Sequence, residues 1–288
     1  MSKRFRRWRR LGAVASALAL LLTWPAAGIA VPSPAALPNG TARLTILYDN
    51  TTAREGVQPD WGFACLIEGL GKTVLFDTGT KPEILLANCK ALAVDLDKVD
   101  AIVISHPHAD HMGGLLTVLE KHPTVTLYVP AAIALIPESA AGSAGIPTLA
   151  KLARPGTKII QVREPVEICP GVRLTSQIVG ANLIPEIGLL LETKAGGTLV
   201  TGCAHPGIVD IVHRAAAWRG RPVEAVIGGF HLMQTSEADV QKIIADMKAA
   251  GVIRCGATHC TGEKAIALFQ TAFGAEFIPL GVGRVIEF

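Results

Sequence analysis

The sequence predicts an α/β fold in which sheets pack together with helices outside, and three observations predict it. Short apolar, β-branched runs divided by Gly and polar turns open the chain beyond residue 42. Further on, strand-like runs alternate with amphipathic segments of helical length, a pattern that recurs in the second half. Just past the ends of several strand-like runs stand Asp77, His106, Cys203 with His205, His231 and His259, where an open sheet places its chemistry.

Taken in order, Lys3, Arg4, Arg6, Arg7, Arg9 and Arg10 form a basic head, Leu11 to Trp24 an apolar core, and Gly28-Ile29-Ala30 a small-residue cleavage site. Residues 1–30 therefore read as an export signal, and the mature protein is expected in the periplasm or the medium. An uncleaved membrane anchor over residues 11–30 is the alternative, although the apolar stretch falls short of the ~20 residues that span a bilayer. Arg9-Arg10 also permits twin-arginine export of an already folded protein. Residues 31–42, with Pro32, Pro34 and Pro38, read as a linker, and residues 43–288 as one domain. The net charge of +3 belongs to the leader: without its six basic residues, 21 Lys and Arg face 24 Asp and Glu. No basic stripe interleaved with aromatic residues follows, which argues against a nucleic-acid partner and leaves the membrane only through an uncleaved leader.

Within the domain, strands are expected over Arg43–Tyr48, Gly62–Glu68 and Thr73–Asp77, a helix over Lys81–Leu92, and a strand over Ala101–Ser105. A helix near Leu115–Lys121 and a strand over Thr126–Pro130 follow. Ala131 to Pro155 is rich in Ala, Gly, Ser and Pro, with helical islands, and offers a loop that covers substrate. The second half gives strands near Lys158–Arg163, Val172–Ser176, Leu189–Thr193 and Thr198–Thr201. A helix over Ile208–Trp218, a strand over Val223–Ile227, a helix over Ser236–Ala250, a strand over Val252–Ala257 and a helix over Gly262–Phe273 complete it.

The strand ending in Ile104-Ser105 delivers His106-Pro107-His108-Ala109-Asp110-His111, three imidazoles and one carboxylate in six residues. His106 and His108 are two apart and converge on one cation, while Asp110 and His111 turn the other way. Imidazole and carboxylate together suit zinc or a similar borderline ion, and two half-sites suit two ions. Cys203 and His205 make a second ligand pair at a strand exit, and His259 lies in a similar elbow. Asp77 either caps its turn or orients an imidazole from behind. His231 is a ligand, an acid catalyst or a hydrogen-bonded core residue, whereas His122 and His213 read as surface residues. Of the six cysteines, Cys65 reads as a buried hydrophobe; the disulfide pattern stays open, and Cys203 at a metal site would leave an odd number.

The run His106-x-His108-x-Asp110-His111, with Asp77 before it, resembles the hallmark of the metallo-β-lactamase superfamily. The likeness covers essentially residues 43–288. Leu47-Tyr48-Asp49-Asn50, Trp61-Gly62-Phe63, Thr201 to Gly207, Gly228 to Leu232 and Thr258 to Gly262 are similar to its branch of dihydropterin-ribofuranosylaminobenzene-phosphate synthase-like proteins. The resemblance implies an αββα sandwich, two mixed sheets flanked by helices, with His259 as the last ligand histidine. It also implies Cys203 at the place of a bridging Asp, and His231 as a catalytic residue that need not bind metal. The superfamily's middle ligand histidine is expected between about residues 165 and 190, where this chain has none, so His205 is expected to take its role.

The expected function is an exported hydrolase in which two divalent ions, zinc first and manganese or iron as alternatives, activate a water for attack on an ester or phosphoester of a small molecule. Asp110 and His231 are the expected catalytic residues. The rivals are an envelope metal-binding or sensor protein, and a di-iron redox protein. His108 disfavours the second, because such centres usually carry a carboxylate there.

Overall fold

A computed structural model describes residues 41–139, 145–181 and 183–288. The expected export signal, residues 31–40 of the linker and part of the expected covering loop lie outside the described residues. Among these residues no helix is long and apolar enough to cross a membrane.

Strand β1 (Arg43–Tyr48) pairs with β2 (Ala64–Glu68), and β2 with β3 (Val74–Phe76), all antiparallel. The chain then turns to parallel pairing through β4 (Ala101–Val103), β5 (Thr126–Pro130) and β6 (Lys158–Val162). With β15 (Val285–Glu287) on the far edge, the first sheet has seven strands in the order β15-β1-β2-β3-β4-β5-β6. The second half repeats the plan. Antiparallel β7 (Val166–Cys169), β8 (Val172–Leu174), β11 (Leu189–Thr193) and β12 (Gly196–Thr201) lead into parallel β13 (Ala225–Gly229) and β14 (Arg254–Thr258). A small pair, β9 (Ile178–Val179) with β10 (Pro185–Glu186), stands apart.

Strand alternation explains the layers, because successive side chains leave a strand on opposite faces. In β4, Ala101 and Val103 join a core shared with Leu189, Leu191 and Val200 of the second sheet. Ile102 and Ile104 face the other way, toward α1 (Pro82–Ala91) and α3 (Leu115–Lys121). Both faces of β4 are thus buried, which is why it reads as an unbroken apolar run. On the outside of the second sheet, Leu190, Leu199 and Val226 pack beneath α5 (Ile208–Arg219), α6 (Glu237–Ala249) and α7 (Glu263–Phe273). The spacing of Ile208, Ile211, Val212 and Ala215 puts one face of α5 into that layer. Helix, sheet, sheet, helix is the αββα arrangement expected.

The sequence reading missed β7, β9, β10 and β15. Each has two to four residues, and in β15 only Ile286 is buried, so no periodic signal exists to read. Four of the expected elements, among them Arg43–Tyr48 and Leu189–Thr193, match to the residue, and the bounds of the others shift by at most two. All six cysteines are free in this structure.

Candidate metal centre

Strands β3, β4, β12, β13 and β14 end at one edge, and the turns that follow carry Asp77, His106, Cys203, His231 and His259. Hydrogen bonds tie the edge together across the two sheets. Ile187 N–H donates to Ser105 O at 2.9 Å. Thr258 Oγ1 lies 2.8 and 2.6 Å from the two oxygens of buried Asp49, fixing the end of β14 to the end of β1. Of the six non-glycine residues with positive φ among the described residues, Asp77 (58°), Ala204 (57°), His231 (55°) and His259 (52°) lie in these turns. Such backbone is costly, of order 1–3 kcal/mol each, and clusters where side chains must be aimed. Gly202 answers a packing demand, since a Cβ there would stand 2.1 Å from Ser105 Oγ.

The hydrogen-bond network sets which imidazole nitrogen faces inward. Asp77 Oδ2 takes the Ser105 hydroxyl at 2.7 Å and lies 2.7 Å from His111 Nδ1. Because a carboxylate only accepts, His111 carries its proton on Nδ1 and presents a bare Nε2. The Ser105 proton being committed to Asp77, its oxygen at 2.8 Å takes the Nδ1 proton of His106 and bares Nε2 there as well. His259 Nδ1 lies 3.0 Å from Asn50 Oδ1, with the same result. Three imidazoles are thus held from behind with lone pairs forward, the tautomer that metal ligation requires.

Those lone pairs converge. His106 Nε2 is 3.1 Å from His108 Nδ1 and 3.2 Å from His205 Nε2. Nitrogens bound to one tetrahedral zinc at ~2.0–2.1 Å stand roughly 3.3–3.4 Å apart, so the spacing suits one ion. On the other side His111 Nε2 is 3.2 Å from Cys203 Sγ and 3.7 Å from Asp110 Oδ2. His259 Nε2 is buried, lies 3.2 Å from Asp110 Oδ2, and makes no hydrogen bond of acceptable angle. Donor atoms crowded at these spacings fit a cation between them. Cys203 belongs both to a group with His106 and His205 and to a group with His111 and His259. His231 is exposed, with its ring centroid 4.2 Å from that of His205.

Burial and the neighbouring imidazoles hold His106 well below the usual histidine range, and His205 at about 3, so both are neutral near pH 7. Burial also opposes a cation at His111, but the Asp77 carboxylate outweighs it and raises that imidazole to about 9, so near pH 7 its Nε2 carries a proton that a bound metal ion would displace to leave the bare nitrogen. Asp110 is pulled below its ordinary value, because His259 and His111 outweigh its burial.

Sequence reasoning missed five residues that build this site. Ser105 relays Asp77 to His106. Asn50 orients His259. Trp61 Nε1–H donates to Asp110 Oδ2 at 2.8 Å, and its ring lies tilted against that of His259, centroids 4.7 Å apart. Cys260 is buried beside Cys203. Glu186, buried on β10, accepts the backbone N–H groups of Cys203, Ala204 and His205 at 2.8–2.9 Å, and burial raises it to about 7. It lies inside the window where a middle ligand histidine was expected, and fixes the elbow that carries His205 instead. A carboxylate in an apolar run two residues before Gly188 was the available signal. His122 proves half-buried, its Nε2 3.3 Å from Asp97 Oδ1, not a plain surface residue; His213 is exposed.

Fold and site together define a four-layer α/β protein with a histidine-rich donor centre at the joined strand ends. The chain belongs to the metallo-β-lactamase superfamily, whose sequence profile matches residues 60–246. It is 31% identical over 272 residues to the 7,8-dihydropterin-6-methyl-4-(β-D-ribofuranosyl)-aminobenzene-5'-phosphate synthase of Methanocaldococcus jannaschii, covering 80% of this chain and 92% of that one. Among solved structures, Tm1679, a metal-dependent hydrolase of the β-lactamase superfamily, matches with a TM-score of 0.71 and 25% identity, covering 86% of this chain and 99% of the other. The metallo-β-lactamase fold protein YhfI of Bacillus subtilis, at 15% identity and a TM-score of 0.60, shares the fold over 86% of this chain and all of its own.

Proposed function

We propose that the mature protein is an exported, metal-dependent hydrolase acting on an ester or phosphoester of a small molecule. The observation that carries this reading is the set of imidazoles tethered through Nδ1 with Nε2 bared toward Asp110 and Cys203. His106, His108 and His205 would hold one divalent ion and Asp110, His111 and His259 the other, with Cys203 between. Mixed imidazole, carboxylate and thiolate donors favour zinc, and manganese or iron are the alternatives. Such a pair of ions, when bound, lowers the pKa of water and stabilises developing negative charge.

The chain's own groups supply the rest. Asp110 stays ionised and accepts a hydrogen bond from an attacking water, while the Trp61 indole fixes its rotamer. His231 lines a pocket of about 420 Å³ with His205, and its contact with Cys260 raises its pKa, so it is positioned to give a proton to the leaving group. A neighbouring cleft of about 1130 Å³, lined by Trp61, Leu232, Met233, Ile266 and Leu280 and reaching His259, suits a substrate with an apolar portion.

Metal analysis with a panel of phosphodiesters and lactones tests the reading; a fully loaded protein that turns over neither overturns it and favours the binding or sensor role. A visible iron-ligand band would favour di-iron redox chemistry. The 31% identity supports a second reading, a synthase, which differs in joining a second organic substrate where a hydrolase uses water. Turnover on one substrate alone separates the two.

Three outcomes follow. His205→Ala should lower bound metal from two equivalents to one, and a metal-bound structure with His205 nitrogens well beyond the ~2.0–2.1 Å of a zinc bond would refute its role. His231→Asn should cut kcat by about 10²–10⁴ on alkyl esters and far less on nitrophenyl esters, whose leaving groups need no proton. Equal losses on both would remove the proton-donor role. Export predicts a mature N-terminus near Val31, and N-terminal sequencing that recovers Met1 or Ser2 would favour the anchor.

A further inference from the structure

Cys260 is not among the proposed ligands of the hydrolytic centre, yet its surroundings are shaped around its sulfur. The thiol is buried, its Sγ 3.7 Å from Cys203 O. A Cβ on Gly229 would stand 2.5 Å from Gly202 O and 2.7 Å from that sulfur, so glycine there serves the close approach of the two strands and also leaves the space that Cys260 occupies. Cys203 Sγ, Cys260 Sγ and a ring nitrogen of His231 all lie within 4.8 Å of one another. His231 is held at φ 55°, a conformation that a residue with a Cβ keeps only when its surroundings impose it.

We propose that Cys203, Cys260 and His231 form a separate site for a thiophilic cation of the zinc class, beside the hydrolytic centre. Two sulfurs and one imidazole match the Cys₂His donor set, with a fourth position left for water or solute. A tetrahedral ion holding thiolates at about 2.3 Å sets its sulfurs roughly 3.8 Å apart, within reach of small side-chain rotations. Binding forms two metal–sulfur bonds and one metal–nitrogen bond, and every proton held on the two sulfurs and on the ligating His231 nitrogen passes to the buffer with no change of oxidation state. Soft thiolates select a different ion population from the imidazole and carboxylate donors nearby.

Filling this site has a consequence that rests on the hydrolase reading. It draws Cys203 from between the hydrolytic ions and occupies His231, the proposed proton donor. The site is therefore inhibitory when filled.

Cadmium titration of reduced, metal-free protein tests the binding claim through the ultraviolet thiolate-to-cadmium charge-transfer band. The wild type should give a two-thiolate band. C260S and C203S should each give about half of it, and H231A should weaken binding by about tenfold or more. H108A removes a donor of the hydrolytic centre and none of this set, so it should keep the full band. If C260S keeps the wild-type band, or the wild type shows one thiolate only, the proposal is overturned. Failure of the hydrolase reading leaves these spectra unmoved. Where turnover exists, cadmium beyond two equivalents should inhibit the wild type and leave C260S at its own untreated rate; equal inhibition of both would overturn the regulatory role.

Discussion

Replacing His108 with Ala is expected to remove the first of the two proposed ions and turnover together. His108 stands at the mouth of α2 (Ala109–Met112), and its Nδ1 is 3.1 Å from His106 Nε2. Of the neighbouring donors, His205 is already counted as a ligand of this ion, its Nε2 3.2 Å from that of His106, and Cys203 is shared with His111 and His259, so neither makes good the loss. With two imidazoles left, the first ion loses a third of its proposed protein ligands, and turnover loses several kcal/mol of charge stabilisation, about 10³-fold or more. The fold should survive, since His108 is only half-buried and supports no core layer. His122→Ala is the control: it removes a contact with Asp97, whose carboxylate is largely exposed, and should change neither metal content nor rate. Elemental analysis that finds a full metal complement in the His108 variant would refute the assignment.

The reach of the sequence reading follows from the range of the signals involved. The two-sheet architecture was legible because strands such as β4 and β13 are buried on both faces and helices such as α5 on one, and both leave periodic marks in a dozen residues. The motif from His106 to His111 was legible because its donors are neighbours in the chain. Contacts that orient those donors are not local. Asn50 and His259 are 209 residues apart, as are Asp49 and Thr258, and Glu186 acts on an elbow 17 to 19 residues away through backbone N–H groups that carry no residue identity. Cys260 escaped notice for a different reason. A cysteine next to His259 reads as packing until the fold brings its sulfur within 4.8 Å of the Cys203 sulfur and of a ring nitrogen of His231.

Asp77 gives the sharpest contrast between holding the fold and holding the metal, because two substitutions there should part the two. Fully buried at φ 58°, it accepts from Ser105 N–H and Ser105 Oγ at 2.7 Å and pairs with His111. Asp77→Ala removes the acceptor of all three donors and leaves His111 without its counter-charge. Breaking a buried pair of this kind costs roughly 3–5 kcal/mol, and Ala also tolerates the left-handed backbone less well than Asp or Asn. This variant should therefore lose both stability and metal. Asp77→Asn keeps the backbone preference and one carbonyl oxygen for Ser105 N–H, so its melting temperature should lie well above that of the Ala variant. Its amide group, however, donates where the carboxylate accepted. His111 Nδ1 must then accept and carry its proton on Nε2. Ser105, receiving from the amide, must turn its hydroxyl toward His106 Nδ1, which moves that proton to Nε2 as well. The flipped amide is no remedy, since it sets its NH₂ against Ser105 N–H. Both half-sites thus lose a lone pair through one oxygen-to-nitrogen exchange, and metal affinity should fall by about 10–100-fold at each with the fold intact. Calorimetric metal titration beside a thermal melt reads the two effects separately. An Asn variant that binds metal like the wild type would show that Asp77 does not set the tautomers of His106 and His111.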